Sequence, residues 1–256
     1  MPQNTFVLTF AIVNVLVVGL FAATILGQYL RKRRESQLYW TIALVMAFIA
    51  TLAYMLMLLA TPSSQLGVFS FRLYYTLGAA LTPAWLGLGS LALVTGKRVA
   101  RTLCLLLSAA SLLAVITVSD ATIDMHALSR IAGTPGTGIL QPGVWLPVLI
   151  VLNTLGVIAL VAVAISSGWR LWRRRPEIAS VRAGNVLLGN VLILAGALCN
   201  AAAGTLARAS GLSSSFWLVM ALGWIVFYLG VLLTGKRRSV VPAVQARDAE
   251  ESAASV

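Results

Sequence analysis

The chain is poor in the residues that do chemistry. Its 256 residues hold 7 Asp and Glu, 1 His and 2 Cys. No Asp, Glu, Lys, Arg or His falls in the central part of the apolar stretches described below. That argues against a carboxylate-coupled proton relay, which needs ionisable groups at membrane depth, and it leaves no lysine for a retinal-type linkage. The single histidine, His126, lies near Asp120 and Asp124 in a polar segment and reads as part of a solvated loop. Cys104 and Cys199 each sit inside apolar sequence and read as small packing residues rather than a disulfide or a metal pair. The run from Gly133 to Gly138 has no lysine and no preceding strand, so it is turn chemistry, not a phosphate loop. With no nucleophile–base pair and no metal constellation, the sequence reads as non-enzymatic and cofactor-free.

Apolar sequence is what the chain has instead. Hydrophobic residues make up 59% and charged residues 10%, against about 25% charged in a soluble domain. Seven apolar stretches fill it, at 5–30, 37–60, 73–95, 102–118, 145–169, 183–206 and 215–234. A hydrocarbon core about 30 Å thick takes about 20 helical residues. Six stretches meet that length and the one at 102–118 is marginal. The expected fold is an all-α integral membrane protein with seven transmembrane helices in a single domain over 1–238. A disordered cytoplasmic tail is expected at 239–256, where Asp248, Glu250 and Glu251 gather.

The positive charge is distributed by topology. Of the 19 Lys and Arg residues, all but three gather at alternate junctions. The clusters are Arg31 to Arg34; Lys97, Arg98 and Arg101; Arg170, Arg173, Arg174, Arg175 and Arg182; and Lys236, Arg237, Arg238 and Arg247. The other junctions hold Arg72, Arg130 and Arg208. Basic loops stay on the cytoplasmic side, which puts the N-terminus outside, the C-terminus inside, and the 119–144 loop outside. The first stretch is followed at once by four positive charges and reads as a retained helix, not a cleaved leader. A cell-membrane location follows, with the lipid bilayer as the main partner. Charge split among four short loops does not suit nucleic acid.

An internal repeat emerges when the chain is slid by 139 residues. Thr95-Gly96-Lys97-Arg98 then meets Thr234-Gly235-Lys236-Arg237, and Asn14, Arg31, Arg34 and Trp85 meet Asn153, Arg170, Arg173 and Trp224. Helices 1–3 (repeat 5–98) thus correspond to helices 5–7 (repeat 145–237), with helix 4 (102–118) as the link. The two units cross in the same direction, so they are parallel repeats, and sites in such folds tend to lie at the repeat interface near the midplane.

Intramembrane amides and central indoles are the rare signals along that interface. Asn14, Asn153, Asn185, Asn190 and Asn200 must each find partners in apolar surroundings. They either tie helices together or meet a ligand. Gly196, Asn200 and Gly204 share one face of helix 6 and suit close helix packing. Trp40, Trp145, Trp169, Trp172 and Trp217 fall near stretch ends and read as interfacial anchors, whereas Trp85 and Trp224 fall near the middle. Pro83 kinks helix 3 just before Trp85. Tyr228, Tyr74 and Tyr75 add aromatic surface. The candidate site is a mid-membrane cavity opening outward, lined by Trp85, Trp224, Tyr228, Asn190, Asn200 and Tyr75, with Arg72 at its mouth to hold a carboxylate. Without internal charge, its ligand is expected to be neutral or zwitterionic.

The stretch from Arg72 through Tyr75, Pro83 and Trp85 to Thr95-Gly96-Lys97-Arg98 resembles the third helix of the seven-helix input regions of bacterial sensor histidine kinases. The basic loop from Arg173 to Arg182 is similar too. Those regions feed a signalling domain, whereas a short polar tail follows helix 7 here. The resemblance therefore implies an input-like module that signals through a membrane or cytoplasmic partner. The three-plus-one-plus-three arrangement also resembles sugar-efflux and lysosomal cystine carriers, but their intramembrane Pro-Gln motif is absent, so that likeness is one of architecture. The leading functional reading is a non-enzymatic small-molecule sensing or binding module. A carrier for a neutral or zwitterionic solute and a structural or assembly subunit of a membrane complex are the alternatives.

Overall fold

The computed structural model of the chain describes residues 2–131, 136, 138–173, 181–209 and 215–235. Arg174, Arg175, the basic residues from Lys236 onward and the tail at 239–256 lie outside the described residues, as does most of the Gly133–Gly138 run. Within these helices, side chains are not described at 2–4, 171–172, 181–183, 204–209 and 235, which include Trp172, Arg182 and Arg208.

The described residues are almost wholly helical. The helices are α1 (Pro2–Lys32), α2 (Glu35–Leu59), α3 (Gln65–Tyr74), α4 (Thr82–Leu91), α5 (Lys97–Asp120), α6 (Met125–Ser129), α7 (Trp145–Arg173), α8 (Val181–Ala209) and α9 (Phe216–Gly235). A π-helical segment, Tyr75–Leu81, joins α3 to α4 without a break. Among the described residues, six helices are long and apolar enough to cross a membrane: Thr5–Lys32, Glu35–Leu59, Lys97–Asp120, Trp145–Arg170, Gly184–Ala203 and Phe216–Thr234. Leucines on their outer faces, such as Leu16, Leu105 and Leu155, are more than half exposed, a surface that suits lipid and not water. The protein is therefore a helical membrane protein.

Helix ends follow local chemistry. Ser64 accepts the Gly67 N–H and starts α3 eight residues before the expected stretch at 73. The far end, expected at 95, unwinds after Leu91 into short turns that lead to extended Gly96. Helix α5 is longer than its apolar stretch, because Lys97, Arg98, Ala100 and Arg101 are good enough helix residues to extend it toward Gly96. Asp124 caps α6 by accepting the N–H groups of His126 and Ala127, so its carboxylate has a structural task in the loop. Arg33 turns the chain sharply between α1 and α2 at φ 50°, a left-handed conformation usual for glycine at such ends.

The long helices pack as a closed ring. Going round it, α1 meets α2, α2 meets α4, α4 meets α7, α7 meets α8, α8 meets α9, and α9 returns to α1. Helix α5 stands outside the ring against α4, α7 and the π segment. Several contacts between helices are so close that only glycine fits, and two show the pattern. A Cβ on Gly156 of α7 would overlap the backbone of Pro83, and one on Gly196 of α8 would lie 2.6 Å from the Gly223 carbonyl of α9. Small residues of this kind let helices approach without a side chain between them.

Candidate functional site

The π segment is built around the proline that follows it. Pro83 has no N–H, so the carbonyl four residues earlier, Ala79 O, loses its helical partner. Asn153 on α7 supplies the missing donor through its Nδ2. Leu77 O, which already accepts the Thr82 N–H across the widened turn, takes a second bond from Thr82 Oγ1 at 2.8 Å. Neighbouring helices and hydroxyls re-pair broken backbone in this way inside membranes, and π turns often mark functional sites.

A cavity of about 270 Å³ lies beside this turn, inside the ring. Its wall comes from α2, α3, the π segment, α4, α7, α8 and α9. Among the described residues the polar part of the wall is Thr51, Tyr74, Tyr75, Thr82, Asn153, Asn200, Trp217 and Trp224, and none of the wall side chains is charged. Two of the hydroxyls are already committed, since Thr51 Oγ1 donates to Ala47 O and Thr82 Oγ1 to Leu77 O. Two other wall side chains carry unmet hydrogen-bonding capacity. Asn200 Oδ1 and Trp217 Nε1 are buried without a partner among the described residues. The Oδ1 lies against the Cα of Gly223, a contact far weaker than an N–H bond. An unsatisfied buried polar atom costs about 1–3 kcal/mol, and Asn14 Oδ1 and Trp40 Nε1 are in the same condition away from this cavity.

The cavity gathers three of the sequence-derived site residues, Tyr75, Asn200 and Trp224. The other four lie elsewhere. Asn190 lines a second, more open cavity of about 470 Å³ and donates to Ser167 Oγ at 3.3 Å. Trp85 is buried with its indole N–H donated to Ser111 Oγ of α5 at 3.1 Å, so it fastens α4 to the helix outside the ring. Tyr228 pairs its hydroxyl with Thr24 Oγ1 at 2.8 Å and stacks on Phe21. Arg72 does not stand at a cavity mouth. Its guanidinium donates to the carbonyls of Val118, Ser119 and Ala121, where the end of α5 leaves carbonyls unpaired.

Asparagine position alone does not reveal role. Asn14 is fully buried and donates to Phe10 O at 2.8 Å and to Trp217 O at 2.9 Å, tying α1 to α9. Asn153 ties α7 to the π segment, and Asn190 ties α8 to α7. The carbonyls of Asn14 and Asn200 are both buried without a partner among the described residues, and Asn200 differs in lining the cavity. Sequence reading missed Trp217, placed among interfacial anchors by its position near a helix start. Its side chain is 1% exposed and packs on Tyr54 at 4.5 Å. Thr51 and Thr82 were also missed, although Pro83 itself signals that a nearby hydroxyl or amide is needed. Compared with protein-family models, curated proteins and solved structures, the chain matches none.

Proposed function

We propose that the chain is a non-enzymatic binding module of the cell membrane that takes a neutral or zwitterionic, partly apolar small molecule in the 270 Å³ cavity. The observation that carries this reading is an uncharged cavity whose wall side chains Asn200 and Trp217 have a buried acceptor and a buried donor without partners. Both atoms are sealed by their neighbours in this structure, so a ligand offering one donor and one acceptor would pair with them once the two side chains turn toward the cavity. The volume equals that of about nine waters at about 30 Å³ each, which suits a molecule the size of an amino acid or a short polyol. Coupling to a membrane or cytoplasmic signalling partner is the role that the kinase-input resemblance suggests.

Seven spans and a repeated architecture are part of the proposal. Helix α3, the π segment and α4 follow one another through 10, 7 and 10 residues and serve together as the seventh span. The repeat-matched amides Asn14 and Asn153 both donate to a main-chain carbonyl of the last helical segment of the other unit, Trp217 O and Ala79 O. The ring order has the same two-fold pattern, with the α1–α9 and α7–α4 contacts in equivalent places. For orientation, Arg101 meets Glu35 at 2.7 Å, which puts two of the basic loops at one end of the molecule. That exposed pair adds little stability, so its value here is as a marker of sides.

Thermal melting of the detergent-purified protein against a panel of neutral amino acids, sugars and polyols tests the site. A true ligand at a hundred times its Kd stabilises by about 2.7 kcal/mol. Asn200→Ala should abolish that shift while leaving the unliganded melting point nearly unchanged. A panel without any stabilising compound, or an Asn200→Ala variant that keeps the full shift, sinks this reading.

A further inference from the structure

Three helices pass along both cavities with the same face. On α7, Asn153 lines the smaller cavity, Ser167 the larger, and Leu160 both. These three are seven residues apart, so they lie on one stripe two turns apart, about 10 Å per step. On α8, Asn200 lines the smaller cavity, and Ile193 and Val186 line the larger at the same spacing. On α4, Pro83 and Ser90 repeat the pattern. The cavities are therefore stacked end to end inside one ring. Among the described residues Leu160 alone lines both, and it is 5% exposed.

We infer that the two cavities are one interrupted path for a neutral or zwitterionic solute, and that the Leu160 side chain is the barrier between them. This rests on reading the smaller cavity as a ligand site. It adds an activity, passage across the membrane, and a position for the gate. A single aliphatic layer is enough to stop water and polar solutes, because a narrow apolar constriction empties of water. The outer chamber offers Asn153 and Asn200, and the far one offers Ser90, Ser167 and Asn190, so a solute that crosses the barrier exchanges one set of amides and hydroxyls for another. Arg170 on the wall of the larger cavity would mark its cytoplasmic end.

Thiol accessibility tests the path without knowledge of the ligand. Val157→Cys reports on the smaller cavity and Ser167→Cys on the larger, each in a Cys104→Ala, Cys199→Ala background. The probe is trimethylammonioethyl methanethiosulfonate, which does not cross lipid, applied to right-side-out and inside-out membrane vesicles. In the parent background Val157→Cys should react from the outside and Ser167→Cys from the inside. Adding Leu160→Ala should speed each reaction from the opposite face by at least about tenfold, the effect of a barrier lowered by about 1.4 kcal/mol. Leu160→Val should give a smaller increase in the same direction, and serves if the alanine variant does not fold. Reaction of both cysteines from the same face overturns the path, and so does an opposite-face rate unchanged by both Leu160 variants. A ligand panel that fails leaves this accessibility pattern standing, so the two readings fail separately.

Discussion

The ring is closed by two seams between distant parts of the chain, and they use different materials. At the α1–α9 seam, Asn14 is sealed at 0% exposure, and Phe21 meets Trp224, Phe227 and Tyr228 ring to ring at 5.0–6.4 Å. At the α7–α4 seam, glycine and proline backbone touch directly, and Asn153 holds a carbonyl that a proline has freed. The first seam fills its space with aromatic rings, two of which, Trp224 and Phe227, also line the cavity, and the second borders that cavity with Pro83, Asn153 and Gly156. An amide donating to a carbonyl appears in both, so the same group serves as a plain fastener in one place and as part of a wall in the other. What separates the two is the packing around the amide: rings consume volume, while a widened turn and small residues create it.

The comparison breaks most sharply at Gly156. Gly156→Val forces a side chain into the backbone of Pro83 and should destabilise the protein by about 3 kcal/mol, because the obstacle is main chain and cannot rotate away. Detergent melting of that variant checks it, and a melting point near wild type would mean that the seam is not backbone-tight.

A smaller effect sharpens the contrast between the amides. Asn14→Leu and Asn153→Leu should each cost about 1 kcal/mol, the usual order for an interhelical hydrogen bond in a membrane. Only Asn153→Leu should also weaken ligand binding, by about tenfold, or about 1.4 kcal/mol. Equal loss of affinity in both variants would show that the two seams do not differ in function.

The smallest effect is at the indoles. Trp85→Phe removes the bond to Ser111 and should cost about 0.6 kcal/mol with no change in affinity, since Trp85 touches α5 and not the cavity. Trp224→Phe alters the cavity wall and should change affinity more than melting. Isothermal calorimetry beside melting curves separates these outcomes.

Helix placement was legible because it depends on apolar length, and length is written directly in the sequence. Boundaries such as 64–65 depended on a serine cap that an apolar count does not register. At the site, residues whose role depends on backbone damage could be reached from the sequence. Pro83 names Ala79 O as unpaired, and a matched asparagine on another helix is the kind of group that repairs it. Roles set by what the side chain happens to face could not be reached. Trp85 and Trp224 look equivalent, yet α5 stands beside only one of them. Arg72 looked like an anion holder because a lone arginine near an apolar segment invites that reading, but the exposed carbonyls at the end of α5 are closer and more numerous.

The two seams also differ in when they can form. The bond from Asn153 to Ala79 spans 74 residues, and the bond from Asn14 to Trp217 spans 203. At about 5–20 residues per second of synthesis, the first partner pair is complete about 4–15 s after Ala79 is made, and the second about 10–40 s after Asn14 is made. The half of the molecule that carries the widened turn can therefore settle while the rest is still on the ribosome. The α1–α9 seam can close only after α9 has been made, so the bond from Asn14 to Trp217 O is the later of the two.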